Sequence, residues 1–82
     1  MEKTNLELEQ AVKNFDGEAF EHLREIIGLS QEKTAQQLGV SHKTFWRWEN
    51  KKNKPDNMAR KIIVMTYGGV IEGNEGFEKY FS

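Results

Sequence analysis

The stretch LSQEKTAQQLGVSHKTFWRWENKKNKP, residues 29–55, decides the fold. Ser30 has the side-chain oxygen of a helix N-cap, suited to the free N–H groups of the turn that follows. Residues 31–38 then read as a helix of about two turns. Gly39 stands where a helix end favours a residue that tolerates positive φ. Ser41 repeats the N-cap chemistry, and residues 42–50 read as a second helix. The apolar positions fall where two crossing helices must touch. Ala35 permits close approach, Leu38 and Val40 flank the turn, and Phe45 and Trp48 lie i,i+3 on one face of the second helix. His42, Lys43, Trp46 and Arg47 are left on the other face. Two short capped helices around a glycine turn make a helix-turn-helix signature.

The charge pattern supports a functional reading of that outer face. The 82-residue chain has a net charge of −1, unpromising for a polyanion binder as a whole. Residues 1–32 carry eight acids and three bases, and residues 62–82 three acids and one base. Residues 33–61 carry eight bases (Lys33, Lys43, Arg47, Lys51, Lys52, Lys54, Arg60 and Lys61) against two acids. Positive charge is thus concentrated on the motif and the loop after it, and a local basic face sets phosphate affinity.

Outward from the motif, residues 4–15 read as an amphipathic helix. Thr4 and Glu7 have capping-box spacing, and Leu8, Ala11, Val12 and Phe15 form an apolar stripe ended by Asp16-Gly17. Residues 18–27 form the next helix, with Phe20, Leu23 and Ile26/Ile27 inward and Gly28 after its end. His22 lacks a partner at metal-ligand spacing and reads as a surface or boundary residue. Beyond the lysine-rich loop, Pro55 blocks helix and Asp56 caps a helix over 57–66 or 67, with Ala59, Ile62, Ile63 and Met65 inward and Gly68-Gly69 ending it. The tail, VIEGNEGFEKYFS, is open between a short helix over 75–81, a dimer strand and no stable structure. The fold class is all-α, four to five short helices. Three segments follow: an N-terminal helical extension (1–17), a helix-turn-helix domain (18–67) and a tail (68–82) suited to a dimer or partner contact.

Several classes are disfavoured. Without cysteine there is no disulfide framework or Cys-based zinc site, in keeping with a cytoplasmic protein. No apolar run approaches the ~18 residues of a membrane span, and MEKTNLELEQ has no signal-peptide character. No phosphate-binding glycine loop, metal-ligand cluster or nucleophile–base pair is present, so neither cofactor, metal site nor enzyme activity is expected.

Residues 18–66 resemble the lambda-repressor/Cro-like (Xre-type) helix-turn-helix family. The resemblance rests on Ser30-Gln31-Glu32, Ala35, Leu38-Gly39-Val40-Ser41, and Trp48-Glu49-Asn50 before the basic loop ending in Pro55. Phe20, Leu23, Arg24 and Gly28-Leu29 extend it upstream, and Ala59 and Ile62-Ile63 downstream. The chain looks most like the small members paired with toxins, in which a Trp-Arg-Trp-Glu-like string ends the recognition helix. It departs at Thr34, where Leu or Ile is usual, and at Lys51, where Gly usually follows Glu-Asn.

The resemblance implies a lambda-repressor-like bundle and a DNA-binding transcriptional regulator, a repressor, reading the major groove. His42, Lys43, Trp46 and Arg47 would reach bases. Thr44, Lys51, Lys52, Asn53 and Lys54 would contact the DNA backbone, and Gln31 would bond a phosphate or brace the recognition helix. Double-stranded DNA with a palindromic operator, bound by a homodimer, is the expected partner. A toxin or other protein stays open as a further one. Glu49 is expected to pair with Arg24 or Arg60. The alternative is an antitoxin-type protein-interaction module that keeps the fold without an operator.

Overall fold

A computed structural model describes residues 3–81. Among these the chain forms five α-helices, one 3₁₀ helix and no strand. The helices are α1 (Asn5–Asn14), α2 (Gly17–Ile27), α3 (Gln31–Leu38), α4 (His42–Glu49) and α5 (Asn57–Glu72), followed by the 3₁₀ helix Glu75–Phe81. None is long and apolar enough to cross a membrane.

Each α-helix begins on a side-chain cap. The Thr4 hydroxyl accepts from Glu7 N at 3.1 Å while the Glu7 carboxylate accepts from Thr4 N at 2.9 Å, closing the capping box. Asp16, Ser30, Ser41 and Asp56 cap α2 to α5 in the same N3 geometry. Three helices end in a left-handed residue. Gly28 (φ 73°) follows α2 and Gly39 (φ 72°) follows α3. Beyond α4 the left-handed position falls on Lys51 (φ 62°), just after Asn50. Thr34 is fully buried, and its hydroxyl donates to the Ser30 carbonyl at 2.9 Å, so its polar atom needs no water.

α1 packs against α5 and the 3₁₀ helix, α2 against α4 and α5, and α3 against α4 and α5. The core is rich in aromatic rings. Phe15 stacks on Phe77 at 5.4 Å and meets Phe20 and Tyr80 edge-on at 5.3 and 5.0 Å. Phe20 in turn meets Phe45 at 6.0 Å and Trp48 at 5.6 Å. Such pairs contribute about 0.5–1.5 kcal/mol each beyond their buried area. His22 lies against Phe77 with ring centroids 5.1 Å apart.

The structure departs from the sequence reading in three places. α5 runs through Gly68-Gly69 to Glu72, because Ile63, Val64, Tyr67 and Ile71 continue one buried stripe across the glycines. That burial outweighs a helix-propensity cost of about 1 kcal/mol per glycine. The same stripe turns Met65 away, leaving it 84% exposed. Ile26 is exposed for the same reason on α2, where Phe20, Leu23 and Ile27 set the inner face. Of the three outcomes open for the tail, the structure has the short helix: Glu75–Phe81 folds back as a 3₁₀ helix that buries Phe77 and Tyr80 and partly covers Phe81. Together with α5 it gives the extension α1 its packing surface.

Gly17 is buried where α2 starts against the end of α4, and a Cβ there would collide with the Glu49 carbonyl. A Cβ at Gly69 would meet nothing within 4 Å. Gly17→Ala should therefore lower stability by about 1–3 kcal/mol. Gly69→Ala should raise it by up to about 1 kcal/mol. Denaturant midpoints of the two variants should move in opposite directions.

The Tyr80 hydroxyl donates to Asp16 Oδ1 at 3.0 Å. Burial, that bond and the nearby carboxylates of Asp16 and Glu18 push its pKa up to about 12. Burial also raises the pKa of Tyr67, whose hydroxyl has no partner among the described residues. A raised folded-state value stabilises the fold fully below the unfolded value of about 10 and ceases to do so as pH climbs through the folded one. Stability should fall between about pH 10 and about pH 12. Tyr80→Phe should flatten that fall in urea titrations taken across the range.

Candidate nucleic-acid interface

α4 is oriented by its buried side. Phe45 and Trp48 are in the core, so residues 42, 43, 46 and 47 take the opposite face. His42, Lys43, Trp46 and Arg47 are all exposed, Trp46 by 44%. Among the described residues, the side chains of Lys43 and Arg47 make no hydrogen bond or ion pair within the chain.

The one acid on α4 is turned inward. Glu49 accepts from Arg24 Nε at 2.8 Å, and its side chain is 6% exposed against 22% for Arg24. Hydrogen bonding to Glu49 is the main reason the Arg24 pKa is raised, against the opposing effect of burial. Gln31 Nε2 also donates to Glu49 Oε1 at 3.0 Å. Gln31 Oε1 lies 3.2 Å from His42 Nε2. The half-buried Gln31 thus bonds to side chains at both ends of α4. Of the two pairings open for Glu49, the structure has Arg24. Arg60 instead donates to the Pro55 carbonyl at 2.8 Å.

Thr44 is half-buried, with its hydroxyl 2.8 Å from Ser41 Oγ at the α4 cap. Beyond α4 the chain turns sharply. Asn50 N donates to Trp46 O at 3.0 Å, and Lys52 N to Arg47 O at 2.9 Å across the left-handed Lys51. Lys51, Lys52, Asn53 and Lys54 are exposed, and Lys54 Nζ donates to the Lys13 carbonyl at 3.4 Å, at the end of α1. This loop and the α1–α2 turn border a cleft of about 450 Å³, with Phe15, Asp16 and Trp48 on its walls. Burial raises the Asp16 pKa. The Ala19 N–H, the Tyr80 hydroxyl and the charges of Lys51 and Lys79 outweigh that and hold it below the usual carboxylate value.

The structure therefore brings the four expected base-reading residues onto one open face, with the basic loop continuing from its C-terminal end. The sequence reading missed the cleft and the contact of Gly17 with the end of α4. Asp16-Gly17 had the composition of a helix breaker, which hid its second use as the cap and first residue of α2. Compared with protein-family models, with curated proteins and with solved structures, the chain gives no match.

Removing Arg24 leaves the Glu49 carboxylate with the Gln31 amide as its one side-chain donor among the described residues. Charged hydrogen bonds contribute about 1.5–3 kcal/mol. Arg24→Met should lower stability by about 2 kcal/mol on that basis, and Arg24→Lys should recover only part of it, since lysine lacks the guanidinium fork. Thermal unfolding of the three proteins at one pH measures both.

Proposed function

We propose that the chain is a sequence-specific DNA-binding regulator of the lambda-repressor/Cro-like type. In this reading α3 and α4 form its helix-turn-helix, α4 enters the major groove, and the protein represses by occupying its operator. The observation that carries the proposal is the outer face of α4. Two cations with no side-chain partner among the described residues, Lys43 and Arg47, stand beside His42 and Trp46 on a helix whose other side is locked into the core.

Each part has a physical role. Arg47 has the geometry to bond O6 and N7 of a guanine at once, and Lys43 can donate to the same acceptors. Trp46 can cover a thymine methyl group. Lys51, Lys52, Asn53 and Lys54 hold flanking phosphates, fixing register without reading sequence. The inward turn of Glu49 matters here, because an outward carboxylate would repel the duplex.

One α4 spans only a few base pairs, so the reading includes a homodimer on inverted half-sites about 34–36 Å apart. In the tail, Phe77 and Tyr80 are buried in the chain's own core, while Phe81 is half-buried at its edge. The large apolar residues left exposed on α5 are Met58 and Met65. The reading also puts the protein in the cytoplasm, where a cysteine-free chain meets DNA. A second reading, a protein-binding module with a toxin or other protein as partner, draws on Trp46, since exposed tryptophan commonly anchors protein interfaces.

Selection from a random duplex pool tests the proposal. Inverted repeats should be enriched, and affinity should fall steeply with salt, by about 0.9 in the log–log slope per phosphate neutralised. Lys43→Ala or Arg47→Ala should cost about 1–3 kcal/mol at one base pair and relax preference there. Lys51→Ala or Lys52→Ala should weaken all sequences alike. No enrichment, together with partner-protein binding that survives alanine at Lys43, Arg47 and Lys52, would establish the second reading instead.

A further inference from the structure

We infer that Gln31 fixes the polarity of His42, so that the ring offers a base an acceptor and the base it reads carries an exocyclic amino group. The inference rests on the DNA-binding reading above for its ligand, but its structural half stands alone.

The argument begins at the Arg24–Glu49 pair. Glu49 accepts from the Arg24 guanidinium at 2.8 Å, and the carboxylate of such an ion pair only accepts. The Gln31 atom 3.0 Å from Glu49 Oε1 is therefore the amide NH₂, because a carbonyl oxygen there would face a carboxylate with no proton between them. That sets the direction of the amide and turns Gln31 Oε1, which only accepts, toward His42 at 3.2 Å. His42 Nε2 must then carry the proton. In a neutral imidazole the other nitrogen is an acceptor, and His42 Nδ1 has no partner among the described residues. A half-buried ion pair at the far end of α4 thereby decides which kind of hydrogen bond its first residue offers to solvent.

In the major groove, adenine presents N6–H₂ and cytosine N4–H₂ as donors, whereas guanine N7 and O6 and thymine O4 only accept. A bare Nδ1 selects the first two. Lys43 and Arg47 are donors only and select acceptors, above all guanine. The face of α4 thus carries one acceptor, at His42, followed by the two cationic donors Lys43 and Arg47. Gln31 is a positioning residue for His42, and a mutation at either should be felt at one and the same base pair.

Two measurements test this on the full chain. The first needs no DNA: imidazole ¹⁵N spectra at mildly alkaline pH, with His22 as internal reference. His42 should show a protonated Nε2 and a bare Nδ1. Gln31→Met should shift both signals toward a mixture of tautomers, and Gln31→Ala, which removes the amide without adding bulk, should do the same. Unchanged spectra in both variants, or an Nδ1–H ring in the parent protein, would overturn the inference. The second is pool selection with the parent, His42→Ala and Gln31→Met. The position whose preference disappears with His42→Ala should be adenine or cytosine, and Gln31→Met should relax it by up to about tenfold. Guanine or thymine there would overturn the assignment while leaving DNA binding intact. A pool with no enriched site would defeat the DNA reading and the assigned base together, while the spectra would still decide whether Gln31 holds the ring.

Discussion

Phe20 wedged against Phe45 and Trp48 is the contact on which the arrangement depends. A helix of only eight residues has little stability of its own, so α4 exists because one side of it is held. Burying two large rings three positions apart leaves a single rotation of the helix about its axis. Everything presented outward at 42, 43, 46 and 47 follows from that rotation. The apolar core and the cationic face are therefore one feature seen from two sides.

Polar contacts refine what the rings set. Arg24, Gln31 and Glu49 lie on three different helices and meet where those helices converge. The network ties the end of α4 to α2 and α3 through directional bonds, beside the non-directional ring contacts. It also removes the only carboxylate of α4 from the outer surface. α1 and the 3₁₀ helix stand further back. They close the core behind Phe15 and leave the loop after α4 anchored through Lys54.

Much of this is legible in the residues because the signals are local. The Thr4/Glu7 box, the Ser30 and Ser41 caps and the Gly39 turn each act within four positions, and each forms as read. The inner face of α4 is equally plain from its i,i+3 aromatics. What escapes is whatever depends on a distant partner. Gly68 and Gly69 have the composition of a stop, and only the burial of Ile71 carries the helix past them. Phe77 and Tyr80 are suited to a dimer as well as to a core, until Phe15, far away in sequence, lies against them. For the candidate site, which residues face outward is readable. The hydrogen-bond direction imposed through Gln31 is not, since it needs three helices in register.

Lys51 holds a backbone angle that glycine would adopt freely. For an L-residue that angle costs about 1–2 kcal/mol. A chain of this size has a small margin of stability, so the strain is a real concession at a surface position. What the concession retains is an ammonium group at the mouth of the cleft beside Asp16. Replacing it with glycine would relax the turn and sacrifice the cation. The corner after α4 is thus a place where the fold gives up robustness to keep electric charge.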